Sequence, residues 1–176
     1  MSEVGGLDIV NAKLERMLAI GGLDREAFLE LANILKSEMQ ENFRVGGRPQ
    51  PWPVSGRVRA FGGQTLRMTG RLMNSLTAFA DDTGGGVSTN LIYARIHALG
   101  GVIRAKAGKL LAFRVPLGLT TTSASGKQLK TPKKNYGFVK VQEVTIPQRD
   151  YRYISPAGVS AIVSAAGRRL IVGGTF

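Results

Sequence analysis

The stretch LIYARIHALGG, residues 91–101, contains the single histidine of the chain, His97. A catalytic histidine needs a nucleophile and an orienting carboxylate within hydrogen-bond reach. The nearest carboxylates in the sequence, Asp81 and Asp82, precede a glycine-rich turn, and neither G-x-S-x-G nor H-x-x-x-H occurs. We therefore interpret His97 as a structural residue in the last turn of a short helix. There it can interact with the helix dipole and bond a terminal carbonyl group.

Metal and phosphate chemistry also lack their usual residues. Cysteine is absent, so a zinc site would need carboxylates beside His97, and after residue 83 the chain has only Glu143 and Asp150. The glycine cluster GGQTLRMTGR lacks the G-K-[ST] of a phosphate-binding loop, and Gly126-Lys127 is followed by glutamine. We expect no catalysis, no metal and no cofactor.

Charge is the strongest chemical signal in the chain. The net charge is +12, yet residues 1–43 hold eight acids and four bases, a local charge of −4. Residues 83–142 hold ten bases and no acid. Such a segment indicates a partner of negative charge. The candidate contact residues are Arg104, Lys106, Lys109, Arg114, Lys127, Lys130, Lys133 and Lys134.

Two partners remain open for these bases. Lysine and arginine clusters near an aromatic such as Tyr136 can bind phosphate backbones without reading sequence. The same bases can also dock on an acidic patch of a neighbouring subunit, and residues 1–43 offer one. No RNA-recognition signature or clear helix-turn-helix is present.

Helices are predicted at both ends of the chain. Asp8 caps a first helix that ends at Gly21-Gly22, and Asp24 caps a second and longer one. Apolar residues spaced three or four apart on the second helix form one buried stripe, namely Phe28, Leu31, Leu35, Met39 and Phe43. Ser155-Pro156 begins the last helix, which we expect to close at Gly167-Arg168-Arg169 before a terminal strand at 170–172.

The middle of the chain reads as short strands and loops. Residues 45–68 form an extended surface segment in which Trp52 fills a hollow of its own domain, and Thr69 caps a helical turn. Strands are expected after Leu76 and over 87–89, 110–115 and 138–146. Residues 117–137 read as a long, mobile loop or hairpin tip. The fold class is α+β, with a small antiparallel sheet packed by the two long helices.

Membrane and domain signals are simple. No apolar run reaches about 18 residues, so no transmembrane helix is expected, and the acidic N-terminus lacks a signal-peptide pattern. We expect one soluble domain over 1–176 with an arm at 117–137, because neither an internal repeat nor a linker interrupts the chain.

Four motifs occur in a fixed order: PxPWPxS at 49–55, LRMTGRLMNSL at 66–76, VSTNLIYARIHALGG at 87–101 and IPxRxYxxIS at 146–155. Together they resemble the phage virion morphogenesis family, the tail-completion and Mu G-like proteins. The resemblance implies a structural subunit of the head–tail junction, made in the bacterial host cytoplasm, that forms a ring, a hexamer by analogy.

The resemblance also implies partners and roles. The ring would join the tail tube protein to the head connector proteins, with DNA passing through its lumen. Residues 102–114 and 117–137 would meet partners or DNA, and sequence-nonspecific nucleic-acid binding by residues 102–140 is the alternative function. We expect packing roles around the small sheet for Trp52, Leu72, Tyr93 and His97. The other residues of the structural motif are Thr69, Gly70, Gly100 and Gly101.

Overall fold

The computed structural model describes residue 15, residues 23–122 and residues 128–173. The predicted helix that begins near Asp8 therefore lies almost wholly outside the described residues, as does Lys127. The description includes five helices, α1 to α5, and six strands, β1 to β6, which the following paragraphs define. The α+β class is confirmed.

Helix α1, Arg25–Val45, forms where its cap and its apolar period predict it. The Asp24 carboxylate accepts a hydrogen bond from the Ala27 N–H at 2.7 Å, which satisfies one of the free donors of the first turn. The predicted stripe is confirmed, since Phe28, Leu31, Met39 and Phe43 are buried and Leu35 is partly buried. The helix thus presents one continuous apolar face to the rest of the molecule.

Helix α5, Pro156–Gly173, packs against α1. Ser155 caps it as predicted, because its hydroxyl accepts the Gly158 N–H at 3.0 Å. The predicted stop at Gly167 and the terminal strand are wrong, since the helix continues through both. Contact with α1 outweighs the modest helix penalty of one glycine. The shared cluster contains Leu23, Ala27, Phe28, Leu31, Ile154, Ile162, Ala165 and Ala166.

A second apolar cluster joins the far end of α1 to two short helices, α3 (Arg71–Asn74) and α4 (Ala94–Leu99), whereas the short helix α2 (Gly56–Phe61) contributes no buried residue to it. Its buried members are Met39, Phe43, Trp52, Leu72, Leu76, Ala94, Ala98 and Tyr151. Helix α2 interrupts the segment predicted to be extended, because Ser55 accepts the Val58 N–H at 3.3 Å and caps one turn and a half.

Two predicted helix starts need correction. The N-cap of α3 is Gly70, at φ +70°, and Thr69 lies one residue earlier with its hydroxyl accepting the Arg71 N–H at 3.4 Å. A left-handed N-cap favours glycine over threonine, which explains the shift. Helix α4 begins at Ala94, after a turn, and not near Asn90.

The strands form three antiparallel pairs within the described residues, where one small sheet was predicted. β1 (Thr77–Ala80) pairs with β2 (Gly85–Ser88), which confirms the switch to strand after Leu76. β3 (Gly101–Arg104) pairs with β6 (Glu143–Ile146), and β4 (Leu111–Thr122) pairs with β5 (Gln128–Val141). In the part of the chain that is described, no helix is both long and apolar enough to cross a membrane.

Candidate interaction surface

The last two strand pairs are successive parts of one ribbon, which we call the β-arm, residues 101–122 and 128–146. They are separated by the loop 105–110. The first residue of this loop, Ala105, donates its backbone N–H to the Gln142 carbonyl at 2.8 Å. Between residues 99 and 148, no residue with described burial is buried. The β-arm therefore lies outside both core clusters.

Much of the segment predicted as a long loop or a hairpin tip is strand. β4 and β5 remain paired as far as Thr122 and Gln128, so the hairpin alternative describes the segment and the loop does not. β-Branched threonines at 120–122 and 131 suit extended backbone, although their polarity suggested a loop. At about 3.4 Å per residue, the 12 residues of β4 extend about 40 Å.

One side of the β-arm combines cations with aromatic rings. We call it the cation–aromatic face, and it consists of Arg114, Lys134, Tyr136, Phe138 and Lys140. Arg114 lies opposite Phe138 in the ladder, and its guanidinium carbon is 4.2 Å from the Tyr136 ring centroid and 6.0 Å from that of Phe138. Such distances allow cation–π attraction.

Helix α2 contacts one end of this face. The Phe61 ring meets Tyr136 edge to face at 5.1 Å, and the Lys134 ammonium is 5.7 Å from the Phe61 centroid. Gly56, at the start of α2, lies beside Pro116 of β4. The contacts of α2 orient the face, while Phe138 beyond them remains 79% exposed.

The opposite side of the same strands is apolar. Strand alternation places one set of cross-strand partners there, and each is only partly buried. This apolar face consists of Leu111, Phe113, Val115, Val139 and Val141. Because an isolated two-stranded hairpin is marginally stable in water, a covered apolar face would add stability that the described chain itself does not supply.

Most of the candidate bases that the structure describes have no carboxylate partner there. Arg104 pairs with Glu143 at 3.1 Å, but both side chains are exposed, so the pair contributes little. Lys106 and Lys109 lie on the loop 105–110 beside Arg104. Within the described residues, no ion pair forms at Lys106, Lys109, Arg114, Lys133 or Lys134. Lys130 belongs to β5, but the placement of its side chain is outside the description.

The acidic patch proposed for residues 1–43 is largely occupied where it is described. Glu38 contacts Arg48 at 3.2 Å, and Glu41 contacts Arg44 at 3.0 Å. Glu30 contacts Arg169 at 3.0 Å, and this hydrogen bond lowers the pKa of the Glu30 carboxyl. These ion pairs compensate part of the negative charge of α1, and docking of the arm of a neighbour on this surface stays a prediction. The sequence-based view counted charges but could not see their arginine partners.

His97 lies in the last turn of α4, as the sequence predicted. Its ring meets Tyr93 edge to face at 5.9 Å, as their shared helix face suggested. Its Nδ1 is buried, however, and no described group bonds it. Burial, with a smaller contribution from the charge of Arg149, lowers the pKa of His97. A favourable dipole interaction needs the charged form of the ring, which this lowered pKa makes less populated, so the helix-end position is confirmed and the dipole interaction stays a prediction.

His97 lines an open hollow on the surface. The hollow measures about 260 Å³ and lies between Met68, Thr69 and Arg71 on one side and Tyr93 and His97 on the other. Tyr93 itself is 39% exposed. Among the described residues, no group of three or more His, Cys, Asp or Glu side chains could hold a metal ion.

Trp52 and Leu72 are buried in the second cluster. The Trp52 indole meets Phe43 edge to face at 5.5 Å and donates from Nε1 to the Asp150 carbonyl at 3.2 Å. At Gly100, with φ +69°, an added Cβ would lie 2.7 Å from the Gln148 nitrogen. Gly100 and Gly101 therefore form a tight turn that brings the base of the β-arm against the segment after β6.

Sequence reasoning missed the polar groups that hold this segment. Asn42 is fully buried, and its Nδ2 donates to the Tyr151 and Tyr153 carbonyls at 2.9 and 2.7 Å. Arg149 is buried too. Its backbone N–H donates to the His97 carbonyl at 2.8 Å, and its Nε donates to the Pro53 carbonyl at 3.0 Å. The available signal was the motif IPxRxYxxIS, whose arginine and tyrosine both face inward.

Comparison with known proteins identifies a family. The chain is 30% identical over 114 residues to the Mu-like prophage FluMu G protein 2 of Haemophilus influenzae, covering 65% of this chain and 77% of that protein. No solved structure gives a significant match. Residues 7–170 match the phage virion morphogenesis family, a span that includes both core clusters and the whole β-arm. The chain therefore belongs to the phage virion morphogenesis family.

Proposed function

We propose that this protein is a non-enzymatic structural subunit of a tailed-phage neck. It completes or terminates the tail tube and joins the tube to the head connector as a homo-oligomeric ring, a hexamer by analogy. Its partners are its own copies, the tail tube protein and the connector proteins. It acts at the head–tail junction of the virion after synthesis in the host cytoplasm.

One observation carries this proposal beyond family membership. The β-arm has no buried residue among those with described burial, its strand β4 alone extends about 40 Å, and one of its sides is apolar. A ribbon of this kind adds nothing to the core of its own subunit. Its apolar face and its unpaired strand edges can be covered by neighbouring molecules, as in strand-addition contacts.

The test compares assembly of two variants with the same added charge. Phe113→Asp places a carboxylate on the apolar face, and Ser37→Asp places one on an exposed position of α1. We expect the wild type and the Ser37→Asp variant to form a cyclic oligomer by native mass spectrometry and to be present in purified particles. The Phe113→Asp variant should keep its circular dichroism spectrum but lose both properties. A monomeric wild type that is absent from particles would contradict the proposal.

Nucleic-acid binding by residues 102–140 is the second candidate function. It is favoured by Lys106, Lys109, Arg114 and Lys134, which lie on the β-arm without a described carboxylate partner. If phosphate contacts supply the binding, the logarithm of the binding constant must fall linearly with the logarithm of the salt concentration. A titration that shows no such dependence between about 50 and about 200 mM salt removes this candidate.

A further inference from the structure

Phe138 is the most exposed aromatic side chain that the structure describes, with 79% of its surface open to solvent. It belongs to neither core cluster. Single exposed apolar residues are common, so exposure alone says little. The informative feature is its setting, because the residues that surround Phe138 on the same side of the β-arm are cations and a second aromatic ring.

The spacing of these groups is regular. Lys134, Tyr136, Phe138 and Lys140 occupy alternate positions of β5, so their side chains share one side and follow one another every 6.8 Å or so. The register shift between Pro116 and Gly118 adds one residue to β4. The side chains of β5 therefore continue to alternate between its two sides from Lys134 to Lys140. The result is a row of cation, ring, ring and cation that is about 20 Å long.

Arg114 completes the row from the neighbouring strand. It lies opposite Phe138, and its guanidinium is held over the Tyr136 ring at 4.2 Å. This contact orients the guanidinium without neutralising it, since no described carboxylate pairs with Arg114. The positive charge and the open ring face of Phe138 are therefore both available to one partner.

We propose that the cation–aromatic face binds a polynucleotide with unpaired bases. Phe138 stacks on a base, while Arg114, Lys134 and Lys140 contact the flanking phosphates. Cations alone can bind the phosphates of a duplex and of a single strand. In a duplex, however, the faces of the bases are already stacked on one another. An exposed aromatic ring therefore adds affinity only where the bases are unpaired. The inference rests on the second candidate function and names its ligand and site.

The experiment measures binding of the full-length protein to three fluorescein-labelled probes by anisotropy. The probes are an oligothymidylate of about 20 nucleotides, an oligouridylate of equal length and a duplex of about 20 base pairs, all longer than a typical single-strand site. We expect at least one of the two single-stranded probes to bind more tightly than the duplex. The tighter of the two identifies the polynucleotide as DNA or RNA.

Matched variants separate stacking from charge. Phe138→Ala should weaken single-strand binding by about 5- to 100-fold and leave duplex binding and the salt slope unchanged. Phe138→Trp should restore it. Lys140→Gln should reduce the single-strand salt slope by about 0.7, whereas Lys133→Gln, on the opposite side of β5, should change it less. Thermal melting of the variants checks that substitutions at the exposed position 138 do not disturb folding.

The outcomes distinguish this inference from the function on which it rests. Salt-dependent binding of all probes that Phe138→Ala does not weaken would overturn base stacking and leave the second candidate function standing. No binding to any probe at about 50 mM salt would overturn both. If Phe138→Ala abolishes oligomers without any effect on nucleic acid, the face is a protein contact and the proposal is wrong.

Discussion

Replacing Asn42 by alanine tests whether the buried polar contacts between α1 and the segment before α5 stabilise the fold. The Asn42 side chain makes three hydrogen bonds. Its Nδ2 donates to the Tyr151 and Tyr153 carbonyls at 2.9 and 2.7 Å, and its Oδ1 accepts from Arg48 Nε at 2.7 Å. The residue has no exposed surface, so water does not replace these bonds without rearrangement.

The expected magnitude follows from these contacts. A buried group left without its partner costs about 1–3 kcal/mol, and Arg48 keeps other bonds, to the Glu38 carbonyl and carboxylate. We therefore expect Asn42→Ala to lower the free energy of unfolding by about 3–5 kcal/mol. This loss is a large part of the total free energy of unfolding of such a domain, about 5–15 kcal/mol. Because the free energy of unfolding falls by about 1–3 kcal/mol per molar urea, the midpoint of urea denaturation should fall by about one molar or more.

The assay is urea denaturation followed by circular dichroism, with Asn33→Ala as the control. Asn33 lies on the same helix, but its side chain is exposed and bonds only the Leu29 carbonyl among described groups. Its replacement should change stability by about 0.5 kcal/mol or less. If the two variants unfold at the same urea concentration, the buried contacts of Asn42 do not stabilise the fold and the reasoning is refuted.

Asn42→Asp refines the test. The carboxylate keeps the acceptor for Arg48 but turns an oxygen toward the two carbonyl groups that the amide bonds. We expect a loss of stability at neutral pH that becomes smaller in acid, since a protonated carboxyl group can donate one of the missing bonds. A loss that grows on acidification relative to Asn42→Ala would contradict this geometry.

Two further predictions concern pH and helix packing. The folded pKa of His97 lies below its ordinary 6.5, so the unfolded chain binds more protons between the two values, and stability is complete above about pH 6.5 and falls as pH drops below it. Denaturation from about pH 7.5 to about pH 5.5 should show this loss, about 1.4 kcal/mol per pKa unit, and His97→Gln should remove it; an unchanged slope would contradict the assignment. Gly158→Ala should destabilise the protein by about 1–3 kcal/mol, because the new Cβ would lie 2.5 Å from the Glu38 carboxyl carbon, which Arg48 holds. Gly167→Ala meets nothing within 4 Å and should stabilise by about 0.5–1 kcal/mol in the same assay, and equal effects of the two changes would show that the α1–α5 contact is looser than described.

Local signals predicted the two long helices well. The Asp24 and Ser155 caps and the apolar stripe of α1 each depend on residues only a few positions apart, so the chain specifies them without knowledge of its partners. The stop at Gly167 failed because contact with α1, more than 120 residues earlier, continues the helix. For 117–137 the sequence left a loop or a hairpin tip open, and cross-strand pairing decided for the hairpin in the described residues.

The N-caps of the two long helices, the acid-free basic stretch and the ordered motifs of the family can be read directly from the chain, because each is a pattern of residue types along it. Which charges remain available depends on tertiary contacts. Arg48 and, from α5, Arg169 reach carboxylates of α1 and compensate part of its negative charge, while no described carboxylate reaches most bases of the β-arm. The strand register then aligned Arg114 with Phe138, since a shift by one residue would have turned the side chains of one strand to the opposite face.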